Sequence, residues 1–366
     1  MQVDVLQEEL SKALQLATRF VNLRAQLPIL ANVVLSAQKT KLTILATNLE
    51  ISIAISLGAK VQKEGAIAIP GKALADIVSN LSTQTITLKS KEEKLGITSE
   101  NFSAVISGIN AADFPELVKE IDKNAIELPK EKIKSALSQV VFSTATDEAR
   151  PILTGVLFIF SKGALLLVAT DGFRLSYKKI PLPAVKNEQK LILPRNFINE
   201  LLRILTNENF NLKFSFQSSE KQAIFGVPKA VISTRIIEGE FPDFEKIIPR
   251  ESKVSITLDK EEFLRAVRIA SVFARESSNV IQLKILKNNI KVSAESSRTG
   301  SQETTLDAKV KGEELTISYN YRFIEEFLAV CPSDEIELSF SDPNSPGVFR
   351  DTKDPDFLHL IMPIRT

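Results

Sequence analysis

The chain has 366 residues, which at roughly 100–200 residues per domain predicts two or three domains. Apolar residues make up 44% and charged residues 25%, an ordinary globular balance that excludes a disordered or fibrous protein. One cysteine, one histidine and a net charge of +1 exclude a disulfide scaffold, a Cys/His zinc cluster and a grip on nucleic acid through bulk charge alone. Apolar runs such as 155–160 and 164–169 are far shorter than the ~20 residues of a membrane helix. The first residues carry acids at Asp4, Glu8 and Glu9 and no apolar signal core, so the expected location is cytoplasmic.

The first periodic segment places Leu10, Leu14, Ala17 and Val21 at helical spacing, with Lys12 and Arg19 on the other side. An extended stretch is expected at Leu27-Pro28-Ile29-Leu30. A strand at Leu42–Ala46 then runs into the turn Thr47-Asn48-Leu49-Glu50. Ile67-Ala68-Ile69 is a strand leading into a second helix through Pro70-Gly71-Lys72, and Ala112-Asp113-Phe114-Pro115 closes the unit. The same order returns about 124 residues later. A helix over 131–137 is followed by Arg150-Pro151-Ile152-Leu153, by the strand Leu165–Ala169 with Thr170-Asp171-Gly172-Phe173, by Leu191-Ile192-Leu193-Pro194-Arg195, and by Phe241-Pro242-Asp243-Phe244. A fainter third copy has a helix over Asp259–Val267, then Asn279-Val280-Ile281, a strand at Ile290–Ser297, a strand-to-helix step across Leu315–Ile324, and a bare terminal strand over Leu358–Ile364. Two helices and several alternating strands per copy read as α+β. Charged joints near 119–123 and 249–253 set the expected domains at 1–122, 123–250 and 251–366.

Motifs for chemistry are scarce. His359 sits in the alternating stretch Phe357–Ile364 and reads as a strand residue, and Cys331 before Pro332 as a structural thiol. Pro70-Gly71-Lys72 lacks the glycine-rich lead and the hydroxyl of a phosphate loop, and no G-x-G-x-x-G or G-x-S-x-G occurs. Acidic pairs such as Glu8–Glu9, Glu313–Glu314 and Glu325–Glu326 read as solvated faces. A carboxylate metal site assembled from distant segments, in a DNA-processing enzyme, stays open as an alternative. Charge is uneven along the chain: residues 123–250 carry 19 basic against 13 acidic side chains, and residues 251–366 carry 15 against 19. Lys130 and Lys134 share one helical face, and Arg265, Arg268 and Arg275 share another. Such stripes on repeated helices favour a shared basic surface over mere solubility.

Taken together, Leu27–Leu30, Ala169-Thr170-Asp171-Gly172-Phe173-Arg174-Leu175, Phe241–Phe244 and Ile361-Met362-Pro363-Ile364-Arg365, in a triplicated chain, resemble the bacterial DNA polymerase III β subunit family, the sliding clamps. The resemblance covers essentially the whole chain. It implies three tandem clamp domains and a head-to-tail homodimer that closes a six-domain ring around duplex DNA without reading its sequence. It implies no catalysis and no cofactor. The expected partners are the polymerase III α subunit, the clamp loader and other proteins with a clamp-binding motif. A monomeric peptide-binding scaffold is the remaining alternative.

The family binds partner peptides in an apolar pocket. The matching positions are Leu153, Thr170, Gly172, Phe173, Arg174 and Leu175 in the second copy, then Pro242, Lys246 and Ile247, and finally Asn320, Phe323, Pro346, Leu360, Met362, Pro363, Ile364 and Arg365. Phe173 stands where many relatives have histidine, and Lys246 where some have arginine. For DNA, the resemblance implies Arg24, Lys72, Arg150 and Arg195. The helical faces add Lys12, Lys130, Lys134, Arg203, Arg265 and Arg268. Asp147 takes a position that is neutral in some relatives, and its charge would repel phosphate. For the dimer interface, the resemblance implies Val272 and Phe273 against Ala104 and Ile106.

Overall fold

A computed structural model describes residues 1–22, 26–82, 84–182, 188–205 and 210–365. Among these residues the α-helices are α1 (Gln7–Ala17), α2 (Gly71–Ser79), α3 (Lys130–Val140), α4 (Arg195–Ile204), α5 (Lys260–Ala274) and α6 (Tyr321–Val330). They fall two to each sequence copy, as the repeat predicts, but α1 stops at Ala17, short of Val21, and the terminal strand is Asp354–Ile361 rather than Leu358–Ile364. Leu10, Ala13, Leu14 and Ala17 form the buried stripe of α1, and burying each leucine fully is worth about 1.5–3 kcal/mol. The start of α5 is capped by the Asp259 carboxylate, which accepts the Glu262 backbone N–H at 2.8 Å. Leu27–Leu30 was expected to be extended. Instead Pro28–Ala31 and Pro151–Thr154 are short 3₁₀ turns, because a proline at the first turn fixes φ and needs no hydrogen-bond partner for nitrogen.

Among the described residues the strand pairings are antiparallel, in four sheets. The chain groups into two compact units, one of residues 1–130 with 206–236 and the other of residues 131–205 with 237–366. The division arises because sheets join strands from neighbouring sequence copies. In the first unit, the trio Asn32–Gln38, Lys41–Thr47 and Ile51–Gly58 continues into Ala230–Arg235, Gln222–Val227 and Leu212–Gln217. The joint pairs Ile51 with Thr234 and Ile55 with Ala230. In the second unit, the trio Gly155–Ser161, Ala164–Thr170 and Arg174–Pro181 continues into Asp354–Ile361, Gly347–Asp351 and Glu335–Phe340. Here Arg174 pairs with Ile361 and Lys178 with Phe357.

Two smaller sheets end without such a joint. Within the first unit, Thr85–Lys91, Lys94–Ser99 and Phe102–Ser107 stop at Phe102–Ser107. Within the second, Val280–Ile285, Asn289–Ser296 and Gly300–Asp307 stop at Gly300–Asp307. The core of the second unit under α5 and α6 centres on Phe263, Tyr319, Phe327, Phe340 and Phe349, all essentially buried. A separate cluster of Leu157, Val168, Leu175, Phe244, Leu358 and Leu360 lies on the nine-stranded sheet.

Candidate functional site

The segment 170–174 makes a tight, fully bonded turn. The Thr170 hydroxyl donates to the Arg174 carbonyl at 2.6 Å and accepts from the Gly172 N–H at 3.0 Å. The Asp171 carboxylate accepts from the backbone N–H groups of Phe173 and Arg174 at 2.9 and 3.0 Å. Asp and Thr side chains mimic backbone turns in this way. The first copy reproduces every bond: Thr47 to the Ile51 carbonyl at 2.9 Å, Leu49 N–H to Thr47 at 3.0 Å, and Glu50 and Ile51 N–H to Asn48 at 3.0 and 2.9 Å.

The turn holds Phe173 out, 62% exposed. Its carbonyl accepts the Met362 N–H at 2.8 Å, which ties the C-terminal segment to the turn, while the Ile364 N–H donates to the Ser318 carbonyl at 2.8 Å. Phe173, Met362 and Ile247 are three of the large exposed apolar side chains of the second unit. Beneath them Leu175 and Leu360 pair across the sheet, both buried, and Leu153 is nearly so. Phe244 covers the same cluster, at the start of the 3₁₀ turn Phe244–Ile247. Pro242 and Lys246 are exposed at that turn, Pro346 and Pro363 are half-buried, and Arg365 is exposed. Lys246 sits 2.8 Å from Asp243. Each stabilises the other's charge, holding the carboxyl below and the ammonium above its usual range.

Arg174 is built in rather than offered. It is buried, donates to the Asp171 carboxylate at 3.0 Å, to Glu326 and to the Phe142 carbonyl at 2.7 Å, and lies 4.5 Å from the Phe323 ring centroid. Asn320 caps α6 by accepting the Arg322 N–H at 3.1 Å. The structure thus connects the turn, the Phe323 face of α6 and the C-terminal segment. Below lies His359, fully buried, its Nδ1 2.8 Å from the Ser176 hydroxyl. Burial first, and the nearby Arg174 second, hold its imidazole well below the usual histidine range.

The basic residues divide by unit. In the first, Lys12 is exposed and pairs with Glu8 at 2.6 Å, and Lys72 is exposed beside Gln15 and Asp76 in a groove of about 300 Å³. Arg24 lies outside the described residues. Lys130 corrects the stripe read from sequence: it is only 5% exposed, its ammonium 4.7 Å from the Phe210 ring centroid. A ring some 80 positions away, invisible to helical periodicity, takes it from the surface. In the second unit, Arg203 and Arg268 are exposed and pair with Glu200 and Glu325, Arg265 is exposed, and Lys134 and Arg195 are half-buried. Arg150 is exposed but turned toward the pocket, its Nη2 donating to the Asp171 carbonyl at 2.9 Å.

At the open strand edges, Ala104 and Ile106 are half-buried on the inner face of Phe102–Ser107, Val272 is 54% exposed on α5, and Phe273 packs on the core. Sequence reading missed Val105, 67% exposed on the outer face, and Ile269, 49% exposed one turn before Val272. The alternation of the strand and the spacing along α5 carried both signals. Among the described residues no group of three or more His, Cys, Asp or Glu side chains could hold a metal ion, and no helix is long and apolar enough to cross a membrane.

Three family models match in order: the DNA polymerase III beta subunit N-terminal domain over residues 1–118, its central domain over 127–243 and its C-terminal domain over 245–365. The chain belongs to the DNA polymerase III beta subunit family. The beta sliding clamp of Staphylococcus aureus is 29% identical over 354 residues, spanning 94% of this chain and 93% of the relative. The DNA polymerase sliding clamp of Bacillus subtilis superimposes with a TM-score of 0.96 at 27% identity, covering 100% of this chain and 99% of that one. The DNA polymerase III beta subunit of Thermotoga maritima gives 0.92 at 25% identity over 100% and 99%. The fold is three tandem clamp domains, and the function is that of a DNA sliding clamp in replication.

Proposed function

We propose that two copies of this chain join head to tail into a closed ring that encircles duplex DNA and tethers the polymerase to it. The observation that carries this is the pair of open strand edges. Twice within the chain, the third strand of one trio pairs with the last strand of another, at Ile51–Gly58 with Ala230–Arg235 and at Arg174–Pro181 with Asp354–Ile361. The third strand and the last strand left over are Gly300–Asp307 and Phe102–Ser107, each at the end of its sheet. A second copy supplies the missing partner for both. Carrying the register of the first joint across sets Gly300 opposite Ile106, Ser301 opposite Val105, Gln302 opposite Ala104 and Thr304 opposite Phe102. That puts the half-buried Ala104 and Ile106 on the inner face, the same face as α5 with Val272 and Phe273. Head-to-tail contacts close when their rotation closes, and closure removes both exposed edges.

The ring acts by topology, not by chemistry of its own. Exposed cations such as Lys12, Lys72, Arg203, Arg265 and Arg268 supply a backbone attraction that reads no bases, which supports sliding. The domains run near 1–122, 123–250 and 251–366, and the setting is cytoplasmic. Partner proteins, including the polymerase α subunit and the clamp loader, dock short apolar peptides between Phe173, Ile247, Phe323 and Met362. A flexible methionine beside aromatic rings accommodates varied sequences. Light scattering at falling protein concentration tests the ring: about twice the 40.5 kDa chain mass is expected, and a single-chain mass at every concentration would overturn it.

A further inference from the structure

We infer that Arg150 is the positioning residue of the 170–174 turn, and that position 172 is glycine to make room for it. The chain contains its own control. The first-copy turn has the same four bonds and the same left-handed third residue, yet that residue is Leu49, at φ 78° against 93° for Gly172. Positive φ favours glycine at both positions, but the first copy tolerates a leucine there, so the backbone alone does not distinguish the two turns. The difference is the neighbour. A Cβ on Gly172 would lie 2.9 Å from Arg150 Nη1, 3.3 Å from Nη2 and 3.5 Å from Cζ. The first copy has Leu27 in the place of Arg150, each preceding the proline of its 3₁₀ turn, and a leucine offers no donor.

Arg150 is well placed to act as a fixed post. Pro151 restricts its backbone, and its carbonyl accepts the Leu153 N–H at 3.0 Å. From there Nη2 donates to the Asp171 carbonyl, two residues before Phe173. The Phe173 carbonyl is in turn held by the Met362 N–H. The lip of the pocket is thus fastened at both ends, by Arg150 on one side and by the C-terminal segment on the other. Preorganising a lip in this way raises affinity by reducing the ordering cost of binding. The inference rests on the peptide-pocket reading for its consequence, but the latch itself is tested without a peptide.

The test is a double-mutant cycle of Arg150→Ala and Gly172→Ala in a Phe173→Trp background. The chain has no tryptophan, so this one reports the lip alone. Arg150→Ala lowers the Trp fluorescence anisotropy and weakens an apolar-anchored clamp-binding peptide about tenfold, as expected for one lost hydrogen bond plus ordering. Arg150→Lys, which keeps a donor, recovers part of both. Gly172→Ala displaces the guanidinium in the parent, and its effect on anisotropy and peptide affinity is smaller once Arg150 is gone, leaving only the strain of alanine at φ 93°. Additive effects would overturn the inference. So would unchanged anisotropy and peptide affinity in Arg150→Ala with a shallower salt dependence of DNA binding, which would make Arg150 a phosphate contact. If no peptide binds even the parent, the pocket reading fails while the anisotropy cycle still decides the latch.

Discussion

His359 is the chain's one histidine, fully buried, with Phe142 at 5.3 Å and Phe327 at 5.4 Å between ring centroids. Its Nδ1 meets Ser176, which meets Ser143 at 2.7 Å, and its Nε2 has no partner. Protonation would place a cation in this apolar site beside Arg174, so the folded imidazole stays neutral well below the usual range. The unfolded chain takes up the proton near pH 6.5 and the folded chain does not. Stability is therefore full above pH 6.5 and falls with pH down to the depressed folded value, by about 1.4 kcal/mol per unit. Between pH 6.5 and 5.0 the loss reaches up to about 2 kcal/mol, before ordinary carboxylates titrate. The Met1 amine, also lowered by burial and by Lys63, starts from 8.0 and is common to both proteins compared. The assay is urea unfolding at half-unit pH steps, followed by tyrosine fluorescence. The three tyrosines, Tyr177, Tyr319 and Tyr321, all lie in the unit that contains His359. His359→Asn keeps an acceptor near Ser176 and should flatten the slope between pH 6.5 and 5.0, whatever its constant cost. An equal slope in wild type and variant would refute the reasoning.

Three further outcomes are expected. Met362→Ala with Arg365→Ala weakens peptide binding while leaving the dimer mass unchanged, measured by anisotropy and light scattering; unchanged affinity would remove the pocket assignment. Val105→Asp, at a position 67% exposed in the single chain, places a charge in the proposed strand joint and shifts the mass toward one chain at micromolar concentration. Arg174→Ala leaves the Asp171 carboxylate without its cation partner and strips the Phe323 ring of its cover, costing about 3 kcal/mol in the second unit's unfolding.

Much of the architecture was legible as repetition. The helix pairs, the Thr47 and Thr170 turns and the closing prolines repeat in order; helical spacing marked α1, and the repeat marked where the second helix of each copy begins, without giving its end. The turn matched down to its hydrogen bonds because Thr and Asx side chains act locally, within five residues. What sequence did not show was long-range. The burial of Lys130 under Phe210 depends on a strand pairing of Ile126–Leu128 with Leu212–Gln217 that no local period encodes. The joints between sequence copies, Ile51 to Thr234 and Arg174 to Ile361, span more than 180 positions and set the division into two units. Arg174 reads as a ligand contact in the motif, and in the structure its guanidinium also bonds Asp171, Glu326 and the Phe142 carbonyl. Only a structure separates those two uses of a buried arginine.

The most direct test of the ring is a covalent one. Ser52 and Ser233 in the first joint bring their hydroxyl oxygens to 2.7 Å, and Ser301 with Val105 is the equivalent pair in the proposed joint. Side chains that close sit within disulfide range. Val105→Cys with Ser301→Cys, in a chain whose native Cys331 is buried, is oxidised in the presence of a circular plasmid and then denatured in detergent. A closed ring yields a doubly crosslinked dimer that stays on the circle through detergent and is released when the plasmid is cut once. Crosslinking that fails, or protein that leaves intact circles as readily as cut ones, would contradict it.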